Sequence, residues 1–196
     1  MNGWKEVLLR SFPGVTPLQV SRLDSLGHLY REWNSKINVI SRKDIDNLYP
    51  HHVLHSLAIA RYCALSGISL DGAEVLDLGT GGGFPGIPLA ILFPGASFTL
   101  CDSVGKKTIV ASAIAEDLGL DNAEVVNARA ESLPGRFDYV VSRAVTDLAT
   151  FYPWVKGKYA KAVCYLKGGD LEAEIADCVR RCRVDRGKFY VASVSD

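Results

Sequence analysis

The stretch LDLGTGGGFPGIPLAI, residues 76–91, joins a short apolar run to a glycine-rich turn and then to a second apolar run. The run over 74–79 predicts a buried β-strand, and the segment after the last glycine predicts a helix. Glycines between a strand and a helix let the backbone bend sharply and approach a ligand closely. The stretch therefore predicts a strand–loop–helix unit whose loop binds a ligand.

Short apolar runs and helical patterns alternate along the rest of the chain. The predicted strands cover 74–79, 97–101, 124–127, 138–142, 160–166 and a last candidate at 188–193, and the predicted helices cover 86–93, 105–119, 145–157 and 170–182. Strands apolar enough to be buried on both faces are typical of a parallel sheet with helices on both sides. The sequence predicts an α/β fold with a doubly wound, mostly parallel sheet.

The first 66 residues follow a helical pattern instead. Apolar residues spaced three and four apart predict a helix over 16–33, with Thr16 as its N-cap and Pro17 in the first turn. A second helix is predicted over 44–62. We expect an N-terminal helical extension, residues 1–66, packed on a core of residues 67–196 within a single domain.

Composition narrows the class of protein. A hydrophobic fraction of 48% and a charged fraction of 22% are those of a globular domain. No apolar stretch reaches the roughly 18 residues that span a bilayer, and the N-terminus lacks the apolar core of a signal peptide. Five cysteines without a CxxC pair suit a reducing compartment. We expect a cytoplasmic protein that binds no membrane and no metal.

Positive charge is concentrated near the N-terminus of a chain whose formal net charge is zero. Residues 1–43 contain seven Lys or Arg and three acids, and the pair Arg42 and Lys43 lies at the end of this arm. A basic arm is a candidate contact for a polyanion such as nucleic acid. A solvated helix face explains the same charges equally well.

Two classes of cofactor compete for the glycine loop. Gly81, Gly83 and Gly86 satisfy the G-x-G-x-x-G pattern of dinucleotide-binding folds, and Asp102 follows at the distance expected for an acid on the ribose. This pattern favours NAD. However, Asp77 lies inside the first strand, and Pro85 has no N–H to offer a pyrophosphate. An acid at the position of Asp77 is typical of enzymes that hold the methionine end of S-adenosylmethionine.

Polar residues also follow the later strands, and the carboxyl ends of the strands are where such sheets bind ligands. Asp102 follows the second strand, Ala130 and Glu131 follow the third, and Ser142 and Arg143 end the fourth. This succession suits an adenosyl group, with Asp102 on the ribose hydroxyls and the loop from Ala130 on the adenine. The predicted function is methyl transfer from S-adenosylmethionine, with an NAD-dependent oxidoreductase as the alternative.

Several motifs together carry a resemblance to a known family: the glycine loop, INVISRKD, HHVLHSLAIA, LCDSVGKKTIV, ARAESL and YVVSRAV. Over about residues 16–170 the chain resembles the bacterial glucose-inhibited division protein B family, the guanine-N7 methyltransferases of 16S ribosomal RNA. The resemblance implies a class I, Rossmann-like methyltransferase that uses S-adenosylmethionine. The family's cofactor positions fall on Gly79, Phe84, Ala130, Glu131 and Arg143, and Asp77, Gly81 and Asp102 join them from the reasoning above.

The resemblance further implies 16S ribosomal RNA or the small ribosomal subunit as partner, and we expect a monomer. No residue is assigned as catalytic, and Arg143 is a candidate for positioning the cofactor or the base. Enzymes that methylate exocyclic amines typically have a Pro-Pro-Tyr-like turn after the fourth strand, where this chain has Ser142-Arg143-Ala144. Guanine N7 carries a lone pair and has no proton to lose, so its methylation depends mainly on orientation.

Two segments depart from the family pattern. The family usually reads Arg-His-Ile-Leu-Asp-Ser where this chain has His51-His52-Val53-Leu54-His55-Ser56, so His55 replaces an acid. The three histidines are candidates for a metal cluster, for contact with RNA phosphate or for ordinary packing, of which the last two are favoured. The fold normally adds an antiparallel edge strand after 188–193, and we expect either a truncated chain or a differently formed hairpin.

Overall fold

The computed structural model describes residues 3–194. Its five parallel strands are β1 (Glu74–Leu78), β2 (Ser97–Asp102), β3 (Ala123–Asn127), β4 (Phe137–Arg143) and β5 (Tyr159–Leu166). They lie in the order β3-β2-β1-β4-β5. The strand order reverses between β1 and β4, so the sheet is doubly wound as predicted. Each predicted strand up to residue 166 is confirmed to within a residue or two at its ends.

Within residues 3–194, seven α-helices accompany the sheet. They are α1 (Gly3–Ser11), α2 (Pro17–Lys36), α3 (His55–Leu65), α4 (Gly86–Leu92), α5 (Gly105–Asp117), α6 (Leu148–Val155) and α7 (Leu171–Cys182). One hydrophobic cluster joins α1 to α5 with one face of the sheet. A second cluster packs α6 against the opposite face, and α7 packs on α6. The helical layers therefore cover both faces.

Gln19, which takes part in the cap of α2, also ties the N-terminal extension to the core. Thr16 accepts a hydrogen bond from the Gln19 N–H at 3.3 Å, and Gln19 accepts one from the Thr16 N–H at 2.8 Å. This capping box confirms Thr16 as the N-cap of α2. The Gln19 amide also donates to the carbonyls of Ile91 and Leu92 at the end of α4. The start of α2 is thereby tied to the first helix of the core.

The helix predicted over 44–62 is divided into three pieces. A 3₁₀ turn (Ile45–Asn47) leads into a π-helical segment (Leu48–Leu54), and α3 begins only at His55. Pro50 lies in the middle of this region and has no backbone N–H, so regular α-helical bonding cannot continue through it. His52 of this segment lies against Phe84, with ring centroids 5.3 Å apart, whereas His51 stays exposed.

The strand predicted at 188–193 is wrong. Asp185 accepts a hydrogen bond from the Gly187 N–H at 2.8 Å and starts a 3₁₀ turn (Arg186–Lys188) instead. The residues after it have no regular secondary structure and do not pair with the sheet within the described part of the chain, and Tyr190 is 87% exposed. Between residues 3 and 194, no helix is both long and apolar enough to cross a bilayer.

Candidate active site

The glycine loop follows β1 at the carboxyl edge of the sheet, and two of its glycines have no room for a side chain. Gly79 has φ of +75°, and a Cβ there would lie 2.4 Å from Val145. A Cβ on Gly86 would lie 2.6 Å from an oxygen of Asp77 and 2.9 Å from Leu100. The sequence therefore needs glycine at both ends of the loop, where the backbone turns out of the strand and into α4.

Asp77 lies beneath this loop and is completely buried. Its Oδ2 accepts hydrogen bonds from the Thr80 hydroxyl at 2.6 Å and from the Gly86 N–H at 2.7 Å. Its other oxygen is buried without a hydrogen-bond partner among the described residues. Burial raises the pKa of Asp77 to about 7, although the bonds from Thr80 and Gly86 oppose the shift. The carboxyl group shapes the loop and keeps one unused acceptor.

Asp102 ends β2 and lies on the other side of the loop. One carboxylate oxygen accepts from the Gly81 N–H at 2.9 Å, and the other accepts from the Val104 N–H at 2.8 Å. The side chain is partly exposed, so its remaining lone pairs face the space above the sheet. That geometry suits bonds to a pair of ligand hydroxyl groups.

A cleft of about 510 Å³ lies above these strand ends. Seven of the eight predicted cofactor residues line it: Gly79, Gly81, Phe84, Asp102, Ala130, Glu131 and Arg143. The eighth, Asp77, lies below the loop and is not part of the cleft wall. In this structure Asp77 supports the loop from beneath, and its direct contact with the cofactor stays a prediction.

The N-terminal extension closes one side of the cleft, which the sequence did not predict. Tyr30 is fully buried and donates to the carbonyl of Gly82 at 2.7 Å. Its ring stacks on Phe84 with centroids 4.7 Å apart. Val39 lines the cleft and would lie 2.9 Å from a Cβ on Gly82. Asn34 fixes this segment by accepting from the N–H groups of Val39 and Ile40.

Arg143 ends β4 and reaches back to the histidines of the extension. It donates to the His51 carbonyl at 2.9 Å and contacts His52 Nδ1 at 2.6 Å. Its guanidinium lies 5.7 Å from the centre of the Phe84 ring. Both contacts are to uncharged acceptors, so the positive charge at the cleft is not neutralised by them. Arg143 is therefore suited to bind an anionic group of a ligand.

Asp44 organises both histidines, and sequence reasoning missed it. Its carboxylate bonds His51 Nδ1 at 2.7 Å and His52 Nε2 at 2.6 Å. These bonds lower the pKa of Asp44, first through His51 and then through His52. Within residues 3–194, no group of three or more His, Cys, Asp or Glu side chains is placed to hold a metal ion. His55 is half-buried on α3, and burial followed by Arg143 lowers its pKa.

The segment after β4 forms the opposite wall. Ser142 is fully buried and its hydroxyl donates to the Leu78 carbonyl at 2.7 Å. Ala144 takes a left-handed φ of 49°, which turns the chain over the cleft. The Tyr165 hydroxyl accepts from the Val145 and Thr146 N–H groups and donates to the Thr146 carbonyl. Tyr165 fixes this turn from the neighbouring strand.

The geometry fits an adenosyl cofactor at the strand ends. A glycine loop held from beneath by Asp77, a carboxylate at the end of β2 and a cation at the end of β4 border the space for its polar groups. Magnesium protoporphyrin IX methyltransferase from Synechocystis PCC 6803, solved with bound S-adenosylmethionine, matches 84% of this chain and 87% of its own with a TM-score of 0.56 and 16% identity. Ribosomal protein L11 methylase from Lactobacillus delbrueckii subsp. bulgaricus matches 62% of this chain and 66% of its own with a TM-score of 0.51 and 18% identity.

The sheet and these structural neighbours show a class I, Rossmann-like fold. A family model and curated relatives make the chain a methyltransferase, whose cofactor is S-adenosylmethionine. The family model described as rRNA small subunit methyltransferase G (GidB) matches residues 19–195, and the chain belongs to this family. Ribosomal RNA small subunit methyltransferase G from Christiangramia forsetii is 49% identical over 180 residues, 88% of this chain and 83% of its own. That from Porphyromonas gingivalis is 51% identical over 179 residues, 87% and 79% of the two chains. The NAD-dependent alternative is not favoured.

Proposed function

We propose that the protein transfers the methyl group of S-adenosylmethionine to N7 of a guanine in 16S ribosomal RNA. Membership of the rRNA small subunit methyltransferase G family supports ribosomal RNA methylation. The choice of N7 rests on one observation at the cleft. The chain has Ser142-Arg143-Ala144, and not a Pro-Pro-Tyr-like turn, at the end of β4, and the buried Ser142 hydroxyl is bonded to the Leu78 carbonyl.

The cofactor is held by groups already in place. Asp102 binds the ribose hydroxyls, and Ala130 with Glu131 borders the adenine at the end of β3. The charged methionine end lies over the loop that Asp77 supports from beneath through Thr80 and Gly86. Arg143 offers its free N–H groups to the carboxylate of the same end. Gly79 and Gly81 allow the backbone to pass close beneath.

S-adenosylmethionine supplies a methyl group bound to a sulfonium. The lone pair of N7 attacks the methyl carbon as the carbon–sulfur bond breaks, and S-adenosylhomocysteine leaves. Because N7 carries no hydrogen, no residue has to accept a proton during the transfer. The protein accelerates the step by holding the two reactants in line and by excluding water from the cleft. Phe84, only 7% exposed and stacked on Tyr30, provides a rigid apolar surface beside the reacting groups.

The RNA approaches over the basic N-terminal arm. Arg42 and Lys43 are exposed in the segment between α2 and Asp44, and the preceding Val39 lines the cleft. Lys107 lines the cleft from α5. These cations lie at or near the rim, where phosphates flanking the target guanine would pass. Comparing protein-free 16S RNA with assembled small subunits as methyl acceptors decides which of the two is the substrate.

The chemical identity of the product tests the proposal. Ribosomal RNA is incubated with the protein and radiolabelled S-adenosylmethionine, then reduced and treated with aniline. N7-methylguanosine makes the strand cleavable under these conditions, and other methylguanosines do not. Cleavage at one guanine with matching label is the expected result. Label without cleavage would show methylation of another atom, and no label in 16S RNA or subunits would contradict ribosomal RNA as the substrate.

A further inference from the structure

Arg143 is held at the cleft by the N-terminal extension. Its partners, the His51 carbonyl and His52 Nδ1, belong to the π-helical segment more than 90 residues earlier in the chain. Two of its five N–H groups are used in this way, which leaves the others for a ligand. The direction in which Arg143 points therefore depends on the state of the imidazole of His52.

The contacts of His52 define its protonation state. Arg143 can only donate, so Nδ1 of His52 must accept and carries no proton. Asp44 is ionised and can only accept, so Nε2 must carry the proton that it donates at 2.6 Å. The ring is therefore the neutral Nε2–H tautomer. A second proton on Nδ1 would remove the acceptor of Arg143 and place two cations against each other.

The surroundings of His52 oppose that second proton. Its side chain is 11% exposed, and its ring lies 5.3 Å from the centre of Phe84. Burial lowers the pKa of His52, Asp44 raises it, and Arg143 and His51 lower it. Four titratable or charged groups of the described residues surround the ring. They are Asp44 before the 3₁₀ turn, His51 on the same π-helical segment, His55 at the start of α3 and Arg143 on β4.

We propose that His52 is a positioning residue: oriented by Asp44 as its neutral Nε2–H tautomer, it fixes Arg143 at the cofactor cleft and releases it on protonation. The proposal rests on the placement of the cofactor against Arg143. Cofactor binding then requires neutral His52, and the affinity falls as pH drops through its pKa. Because that pKa is depressed, the loss occurs below the ordinary value of about 6.5.

The tautomer is measured first, in the protein without cofactor or RNA. Long-range ¹⁵N–¹H spectra of the histidine rings report which nitrogen carries the proton, and the chain has four histidines to assign. We expect His52 as the Nε2–H form with a pKa below 6.5. In Arg143→Gln its pKa should rise, because one cation is removed. A protonated ring at pH 7, an Nδ1–H tautomer, or a pKa unaffected by Arg143→Gln would each overturn the proposal.

Two substitutions then distinguish the roles of Nδ1 and Nε2 of His52. His52→Asn keeps an acceptor near the position of Nδ1 and cannot titrate, whereas His52→Gln keeps a donor toward Asp44 and loses that acceptor. Binding of S-adenosylhomocysteine, measured by calorimetry from about pH 5.5 to about pH 8, should be about tenfold weaker in His52→Gln. His52→Asn should retain most of the affinity and lose the acid dependence. His28→Gln, on an exposed residue of α2, serves as the control and should keep both.

Thermal melting confirms that each variant is folded before its binding is interpreted. Equal affinities of His52→Gln and wild type at pH 7.5, or an acid dependence as steep in His52→Asn as in wild type, would show that His52 does not position Arg143. These measurements need no RNA. A wild-type protein that shows the expected tautomer and binding but forms no N7-methylguanosine would contradict the proposed function and leave this inference standing.

Discussion

The hydroxyl of Tyr30 donates a 2.7 Å hydrogen bond to the carbonyl of Gly82, which joins α2 to the tip of the glycine loop. The tyrosine is fully buried and also stacks on Phe84. The N-terminal extension is thus part of the wall that shapes the cofactor cleft. Loss of this single bond should weaken cofactor binding, even though no atom of α2 belongs to the sheet.

Tyr30→Phe tests that coupling. Removing the hydroxyl leaves the Gly82 carbonyl without its partner and should lower the free energy of unfolding by about 1 kcal/mol. Affinity for S-adenosylhomocysteine should fall several-fold, because the loop becomes less ordered. Tyr49→Phe is the matched control, since its hydroxyl donates to the Asp24 carbonyl at 2.6 Å, away from the loop. Equal losses of affinity in the two variants would argue against a specific link through Tyr30.

Asp77 predicts a pH dependence of stability. Its pKa of about 7 in the folded protein exceeds the ordinary value near 4, so between these values the folded state holds a proton that the unfolded state has lost. The stability that protonated Asp77 contributes, up to about 4 kcal/mol, is then fully present below about pH 4 and is lost as pH rises through 7. Denaturant unfolding of the ligand-free protein across this range measures it.

Asp77→Asn provides the comparison. The amide can still accept from Thr80 and Gly86 and cannot ionise, so the variant should lose the decline in stability between pH 4 and about pH 8. Subtracting one profile from the other removes the contributions of all other titrating groups. A difference that does not change with pH would show that Asp77 stays ionised in the folded protein.

Gly86→Ala tests the packing beneath the loop. Its Cβ would meet Asp77 at 2.6 Å and Leu100 at 2.9 Å, and neither neighbour is free to move far in a buried site. Overpacking should destabilise the protein by about 1–3 kcal/mol and weaken cofactor binding. Gly168→Ala, where a Cβ would have nothing within 4 Å, should change neither. If Gly86→Ala bound the cofactor as tightly as the wild type, the loop would have to shift to make room for the added Cβ.

Sequence reasoning placed the sheet and most of the cleft because their signals are local. Apolar runs mark the strands, and each strand ends in glycine or polar residues. The contacts that support Arg143 left no such signal, since His52, which Asp44 orients, reaches Arg143 only after the extension folds onto the core. The candidate strand at 188–193 failed for the opposite reason. Its apolar run suits a strand, but within the described residues no neighbouring strand pairs with it.

Arg42 and Lys43 predict how RNA binding depends on salt. Arg42→Glu with Lys43→Glu should weaken RNA binding and reduce the slope of log affinity against log salt by about 1.5, because two phosphate contacts no longer release counterions. Cofactor affinity should stay unchanged. Arg180→Glu with Arg181→Glu makes the same change in charge on α7, where both side chains are paired with Asp177. Equal effects of the two double variants would indicate long-range charge alone.

The rate of methyl transfer itself should not depend on pH near neutrality. At saturating cofactor, the single-turnover rate should be flat from about pH 7 to about pH 9, because guanine N7 has no proton to give to a base. Saturation matters, since it removes any effect of Asp77 or His52 on cofactor binding from the measured rate. Arg143→Ala should slow transfer by about tenfold or more without adding a pH dependence, since it positions and does not exchange a proton. A rate that rises tenfold per pH unit would instead identify a titrating base, and methylation of an exocyclic amine would then have to be considered.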